Sequence, residues 1–157
     1  MKDKPTSKPK FSREALRLAR SPALGSLEKI MKTLLAPGGC PWDRRQTHST
    51  LVKYLHEEAG EVGRAVRKTD CANLKEELGD VLLQVVFHSA LASRDGRFGL
   101  GDVIKSINAK MFRRHPHVFA GGSEKFSTPA QVLRQWKIIK KAEKARARIL
   151  KPAVRCR

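Results

Sequence analysis

The sequence predicts an all-α protein built as a bundle of amphipathic helices. Apolar residues recur at helical spacing over 27–35 and again over 51–66, and breaks that contain Gly or Pro separate the periodic segments. Acidic residues in the central segments also fall in pairs three positions apart, which places both side chains of a pair on one helix face. With 157 residues, the chain is long enough for one domain with a core.

The first elements follow from capping residues and breakers. Residues 1–25 are expected to form a basic, loosely ordered extension, apart from a short helix over 11–19 that Ser12 would cap. Ser26 is predicted to cap the first bundle helix, which should stop at Pro37-Gly38-Gly39.

A tight loop, Cys40-Pro41-Trp42-Asp43, is predicted next. Asp43 is placed to cap the helix that follows it. Trp42 has two interpretations, a side chain that fills the core beneath the loop or a flat surface for a nucleobase. The residues alone favour the core interpretation.

Two acidic helices form the predicted centre, over 50–67 and 74–93, joined by a short turn that Asp70 or Asn73 would cap. Because the connection is short, the helices should be antiparallel neighbours. The carboxylate pairs they carry are Glu58 with Glu61 and Glu77 with Asp80.

Four converging carboxylates repel one another, and a hard divalent cation with oxygen ligands relieves that repulsion. Glu58 falls within the apolar stripe of its helix, where a carboxylate needs a partner. The pattern therefore predicts a Mg²⁺ site, whereas Glu57 falls outside the stripe and Glu76 on the surface. A single ExxE spacing would more often be a solvated face, so the prediction depends on two such pairs on adjacent helices.

After Asp80 the second acidic helix is apolar nearly all round, from Val81 to Phe87. A small domain buries such a helix most readily against a second subunit, which predicts a homo-oligomer. His88 is expected to be packed or hydrogen-bonded rather than a metal ligand.

A basic face is predicted farther along the chain, on a helix over 103–115 that Asp102 would cap. Lys110, Arg113 and Arg114 lie three and four positions apart there, which is either ordinary surface charge or a supply of positive side chains for phosphates. A last helix begins at Thr128-Pro129 and carries Trp136.

The net charge of +18 lies mostly in the terminal segments. Residues 137–157 contain nine Lys or Arg against one acid, Glu143, and a basic C-terminal tail is predicted over 143–157. Such tails bind polyanions weakly and without sequence preference, or simply add solubility. Three cysteines without metal spacing indicate a reducing cytoplasm, and no apolar run is long enough for a membrane span.

Motifs across 27–140 together resemble the MazG family of nucleoside triphosphate pyrophosphohydrolases: GCPWDRRQTH, EExxE followed by ExxD, ELGDVLLQVVFH and KMFRRHPHVF. The resemblance implies a MazG-like helical domain over 26–142, assembled as a dimer or a dimer of dimers. It implies Mg²⁺-dependent hydrolysis of nucleoside triphosphates to monophosphate and pyrophosphate, with Mn²⁺ as an alternative cofactor.

The resemblance also assigns residues. The metal ligands would be Glu58, Glu61, Glu77 and Asp80, and the catalytic acids would be Glu57, Glu58 and Glu61. Glu57 is the candidate for orienting the attacking water because it adjoins the ligands while pointing slightly away from them. Substrate contacts would come from Asn108, Lys110, Arg113, Arg114 and Trp136.

Three alternatives to this function stay open at the level of sequence. The chain could be an all-α phosphohydrolase restricted to a deoxynucleotide such as dUTP or dCTP. It could be a nucleic-acid-binding helical module that uses its basic tails, or an oligomerisation bundle without catalytic activity.

Overall fold

The computed structural model describes residues 11–120 and 126–150, and every regular element in these ranges is a helix. The helices are α1 (Arg13–Arg20), α2 (Leu24–Leu35), α3 (Pro41–Arg44), α4 (His48–Lys68), α5 (Cys71–Arg94), α6 (Leu100–Arg114), α7 (Pro116–Phe119) and α8 (Pro129–Leu150). The predicted all-α class is confirmed.

The chain divides into two compact units, and the boundary falls within α6, between Val103 and Ile104. The first unit contains α1–α5, and the second contains most of α6 together with α7 and α8. None of the helices in the described ranges is both long and apolar enough to cross a membrane.

The core of the first unit lies where α5 packs on α4 and α2. The side chains that are almost completely buried there belong mainly to α5. The buried apolar residues are Met31, Leu51, Ala65, Val86, Phe87, Ala90, Leu91, Ala92 and Leu100. Burying this apolar surface is the main favourable contribution to folding.

The first two helices start from different signals. Ser12 caps α1 as predicted, and its hydroxyl accepts a hydrogen bond from the Ala15 amide at 3.1 Å. The predicted cap at Ser26 is wrong, because α2 begins at Leu24 after Ala23. The Ser26 amide already donates to the Ala23 carbonyl, and its hydroxyl donates to Ser21 Oγ, so Ser26 lies inside the first turn.

The end of α2 requires glycine. A Cβ atom on Gly39 would lie 2.2 Å from the Leu34 carbonyl oxygen, closer than any side chain allows. The neighbouring Gly38 has φ +79°, a left-handed conformation that favours glycine. The Cys40 amide then donates to the Leu34 carbonyl at 2.8 Å, which closes the helix end. The predicted stop at Pro37-Gly38-Gly39 is confirmed.

The segment after Cys40 forms a single helical turn, α3, rather than a loop. Asp43 lies inside this turn, so its predicted role as a cap for the next helix is wrong. Thr47 caps α4 instead, in a reciprocal pair with Thr50: each hydroxyl accepts from the other residue's backbone amide.

Gln46 joins α3 to α4. Its side-chain amide donates to the Trp42 carbonyl at 2.9 Å, and its oxygen accepts from the Thr50 hydroxyl at 2.8 Å. The Gln46 side chain is buried, so these two bonds satisfy polar atoms that would otherwise be costly to bury.

Trp42 is 50% exposed, which overturns the prediction that it fills the core. Its ring meets Tyr54 of α4 edge to face, with centroids 5.8 Å apart. The contact with Tyr54 therefore covers the Trp42 ring only in part.

The helices α4 and α5 pack as antiparallel neighbours, as predicted. His48, at the start of α4, contacts His88 near the end of α5, while Glu61 and Glu77 meet closer to the connecting turn. The turn has Thr69 in the left-handed conformation with φ 55°, and Asp70 caps α5 by accepting from the Asn73 amide at 3.0 Å.

Candidate functional site

Three of the four predicted metal ligands converge between α4 and α5. Glu58, Glu77 and Asp80 each offer a carboxylate oxygen, and the three oxygens lie within 4.8 Å of one another. We call these residues the acidic cluster. The i, i+3 spacing of Glu77 and Asp80 puts them on one face of α5, and the antiparallel packing brings Glu58 opposite them.

Glu61, the fourth predicted ligand, lies beside the acidic cluster rather than within it. It forms an ion pair with Arg64 one turn farther along α4. Its charge also acts on Glu77 and Glu58. Glu61 is therefore close enough to interact with Glu58 and Glu77, but its charge is neutralised by the Arg64 guanidinium.

The crowding changes the acidity of two members of the cluster. Burial and the negative charges of Glu61, Asp80 and Glu58 raise the pKa of Glu77 above its ordinary value, and a hydrogen bond with Glu61 adds to the shift. Burial raises the pKa of Glu58 in the same direction, followed by the charges of Asp80, Glu61 and Glu57. Both shifts mean that the ionised cluster is electrostatically unfavourable without a cation.

The residues fit a hard divalent metal. The donors are all carboxylate oxygens, which Mg²⁺ prefers, and Glu77 is 8% exposed although it is an acid. Among the described residues, no Lys or Arg forms an ion pair with any member of the acidic cluster. A buried carboxylate needs such a partner, and a divalent cation would supply the missing charge.

The neighbouring acids lie outside the cluster. Glu57 is exposed, next to Glu58 in sequence, and its charge contributes to the raised pKa of Glu58. Glu76 is also exposed. These positions match the predicted arrangement, in which only one acid of each adjacent pair turns inward.

In the second unit, two predicted phosphate contacts are already paired. Arg113 donates from Nε to Glu143 Oε1 at 2.7 Å, and Arg114 donates from Nη2 to Glu143 Oε2 at 2.7 Å and from Nε to the same oxygen at 3.2 Å. The carboxylate comes from α8 and thus ties α8 to the end of α6. The hydrogen bonds from Arg114 and then Arg113 lower the pKa of Glu143 to about 2.

The other predicted substrate contacts are also in the second unit. Asn108 is exposed on α6 and Lys110 is half-buried. Trp136 packs edge to face against His115 at 5.0 Å between centroids, and Lys140 lies 5.6 Å from its ring centre. The indole Nε1 of Trp136 is buried and has no hydrogen-bond partner among the described residues.

Comparison with known proteins identifies this helical arrangement. A model of the MazG nucleotide pyrophosphohydrolase domain matches residues 46–119, which include the acidic cluster and the arginines of α6. The crystal structure of a mazG-related protein from Thermotoga maritima superposes with a TM-score of 0.62 and 34% identity, over 74% of this chain and 98% of that one. The chain belongs to the MazG family.

Longer bacterial proteins are similar as well. The nucleoside triphosphate pyrophosphohydrolase/pyrophosphatase MazG of Thermotoga maritima is 47% identical over 120 residues, which cover 76% of this chain and 45% of that protein. The nucleoside triphosphate pyrophosphohydrolase of Escherichia coli K12 is 45% identical over 117 residues, 74% of this chain and 44% of that protein. The chain thus spans less than half the length of these relatives.

Sequence reasoning missed two features of this MazG chain. The first is a polar seam beyond the acidic cluster, where His48 and His88 bring their Nδ1 atoms within 2.8 Å and stack their rings. His88 is hydrogen-bonded as predicted, but the sequence does not reveal His48 as its partner. The second is Glu143, which the sequence places in a basic tail and which binds Arg113 and Arg114 in the structure. The signal in the sequence was that Glu143 is the one acid in 137–157, beside nine basic residues.

Proposed function

We propose that this chain hydrolyses nucleoside triphosphates to nucleoside monophosphate and pyrophosphate in a Mg²⁺-dependent reaction. The acidic cluster carries the proposal: three carboxylates, one of them buried, meet within 4.8 Å and lack a cationic partner among the described side chains. The names of the bacterial relatives support the same activity.

Glu58, Glu77 and Asp80 would hold the metal, with Glu61 as a further ligand once it leaves Arg64. Mn²⁺ would substitute, because it accepts the same oxygen ligands. When bound, the cation would neutralise part of the triphosphate charge and stabilise the charge that develops during displacement at the α-phosphorus. The protein's part is to keep three anions close enough to share one cation.

Glu57 is the residue proposed to orient the attacking water. It is exposed and adjoins Glu58 in sequence, so its carboxylate is accessible to water and is not one of the proposed metal ligands. A carboxylate accepts a hydrogen bond from water and can take its proton as the oxygen bonds to the α-phosphorus. The bond from that phosphorus to the bridging oxygen breaks, and pyrophosphate leaves.

Lys110, Arg113 and Arg114 would bind the phosphates, and Asn108 and Trp136 would contact the nucleotide. Guanidinium groups are suited to phosphate because they present several donors in one plane. Trp42 offers an additional surface, since half of it is exposed and an aromatic face can stack on a nucleobase.

We also propose that the protein assembles as a homo-oligomer, a dimer or a dimer of dimers. Leu78, Leu82 and Val85 follow one another along a face of α5 and are 51%, 42% and 37% exposed. An exposed apolar face on the main core helix fits contact with a second copy.

The cytoplasm is the proposed location, and the basic terminal segments are proposed to bind polyanions only weakly.

The test is product analysis after incubation with a panel of ribo- and deoxynucleoside triphosphates and Mg²⁺. We expect equal amounts of monophosphate and pyrophosphate, and no turnover after Mg²⁺ is chelated. Glu77→Gln should abolish turnover, whereas the matched variant Glu76→Gln should retain it, because Glu76 is exposed and outside the cluster. Equal activity in the two variants would refute the assignment.

A further inference from the structure

We infer that Glu143 is a positioning residue for nucleotide binding: it holds Arg113 and Arg114 by their inner edges, so that their remaining donors face the phosphates together. The inference rests on the proposed function, because the arginines are phosphate contacts only if the chain binds nucleotides. It gives a role to an acid that lies outside the motifs of the family resemblance.

Donor counting favours positioning over obstruction. A guanidinium has five N–H donors. Glu143 takes one from Arg113, at Nε, and two from Arg114, at Nε and Nη2. Four donors of Arg113 and three of Arg114 therefore form no other hydrogen bond with the described residues. Most of the terminal edge of each guanidinium, which binds phosphate oxygens in a bidentate manner, stays available.

Charge and burial support the same role. Arg113 and Arg114 are consecutive in sequence, and two adjacent cations repel each other. One carboxylate shared between them reduces that repulsion and leaves a net charge of +1 for an anion. The side chains of Glu143 and Arg114 are 20% and 22% exposed, so this ion pair is mostly shielded from water, whereas Arg113 is 49% exposed.

There is also room for a ligand beside this contact. A cavity of about 540 Å³ in the second unit is lined by Arg113 and Glu143, together with Arg146 and the apolar side chains of Ile138 and Ile139. A phosphate group beside Arg113 would not have to displace Glu143. The proposal places the phosphate against the arginines and not against the carboxylate.

The experiment measures kcat and KM with Mg²⁺ and the best substrate of the nucleotide panel. Glu143→Gln should raise KM by roughly five- to fiftyfold, the range for loosening charge-assisted hydrogen bonds. It should leave kcat within about threefold, because a contact made equally in ground and transition states affects KM alone. Since Glu143 stays ionised far below neutral pH, the KM ratio should be constant from pH 6 to pH 9.

Two further variants isolate the geometry. Glu143→Asp keeps the charge but is one methylene shorter, so it should raise KM less than Glu143→Gln does. If the glutamine variant fails to fold, the KM of the aspartate variant still tests the inference. Lys141→Gln changes the charge of α8 by one unit at an exposed position and should leave KM unchanged. Circular dichroism and melting temperature report on folding in each case.

The decisive comparison is made in an Arg113→Ala/Arg114→Ala background. There Glu143→Gln should change KM by less than about twofold, because the residues through which it acts are gone. A lower KM in Glu143→Gln alone would mean that the carboxylate competes with phosphate, and an equal KM increase in both backgrounds would mean that it acts by another route. Either result overturns the inference.

Failure of the proposed function gives different results. If the wild-type protein does not hydrolyse any nucleotide, the proposed activity itself fails. If it does, but Arg113→Ala/Arg114→Ala leaves KM unchanged, the phosphate contacts are assigned wrongly, and the inference falls with them. If the double variant raises KM and Glu143→Gln does not, only the positioning role is wrong.

Discussion

At the scale of single residues, the acidic cluster is an unfavourable arrangement that a cation would make favourable. Glu77 is buried among other carboxylates, and its pKa is raised first by burial and then by the charge of Glu61. The free energy lost by collecting these charges is recovered only when a positive charge arrives. Stability and metal binding should therefore change in opposite directions when one carboxylate is neutralised.

We predict that Glu77→Gln raises the melting temperature of the metal-free protein, because it removes one of the repelling charges. Mg²⁺ should then stabilise the variant much less than it stabilises the wild type, with an affinity lower by roughly tenfold or more. Melting curves at a series of Mg²⁺ concentrations measure both effects. Glu76→Gln serves as the control, and a similar Mg²⁺-dependent increase in all three proteins would contradict the metal assignment.

The histidine pair leads to a prediction on pH. Burial, and then the neighbouring His48, lowers the pKa of His88 below its ordinary value of 6.5. The unfolded chain therefore binds more protons than the folded one at and below about pH 6.5, so the free energy of unfolding should fall as pH decreases from 7.5 to 5.5. Only one Nδ1 proton can lie between the rings, and a second proton would break the contact.

Urea unfolding at pH 7.5 and pH 5.5 tests this prediction. Because the acidic cluster titrates as well, the informative quantity is the difference between wild type and His88→Gln. The loss of stability at pH 5.5 should be smaller in His88→Gln. His56, which is exposed on α4, provides the control His56→Gln, and this variant should behave as the wild type does.

At the scale of elements, local signals explain what could be predicted. The i, i+3 carboxylate pairs and the short turn at Asp70 were enough to place Glu58, Glu77 and Asp80 together, because they depend on helix geometry and one tight connection. The start of α2 was predicted wrongly because serine is a common N-cap residue, so Ser26 alone was a plausible cap. In the structure its hydroxyl donates to Ser21 instead, and Ala23 is the N-cap.

Contacts between distant segments could not be predicted from local patterns. Arg113 and Glu143 are separated by 30 positions and a loop, so no helical periodicity relates them. The exposure of Trp42 depends on the orientation of α3, a single turn that packs on α2 and is linked to α4 through Gln46. Both findings concern side chains whose environment arises from tertiary packing.

The exposed apolar face of α5 leads to a prediction on the oligomeric state. Leu82 lies between Leu78 and Val85 on that face, and Leu82→Arg would place a charge in a proposed interface between copies, where it would be costly to desolvate. The wild type should be an oligomer by light scattering coupled to size exclusion, and Leu82→Arg should shift it towards monomer. Lys75→Gln, an exposed change near the start of α5, should not.

A monomeric wild-type protein at micromolar concentration would contradict the proposed assembly. The same result would leave the acidic cluster unaffected, because all of its members belong to one chain.

At the scale of the whole molecule, each compact unit carries one group of the predicted site residues. The acidic cluster belongs to the first unit, and Arg113, Arg114 and Glu143 belong to the second. A triphosphate carries more negative charge than one divalent cation neutralises, so the proposed reaction calls for basic side chains as well as a metal.

The most direct test of the central claim is hydrolysis in ¹⁸O-labelled water with Mg²⁺, followed by mass spectrometry of both products. Attack of water on the α-phosphorus predicts one ¹⁸O atom in the nucleoside monophosphate and unlabelled pyrophosphate, with no turnover in Asp80→Asn. The appearance of nucleoside diphosphate and orthophosphate, of label in the pyrophosphate, or of undiminished turnover in Asp80→Asn would contradict the account.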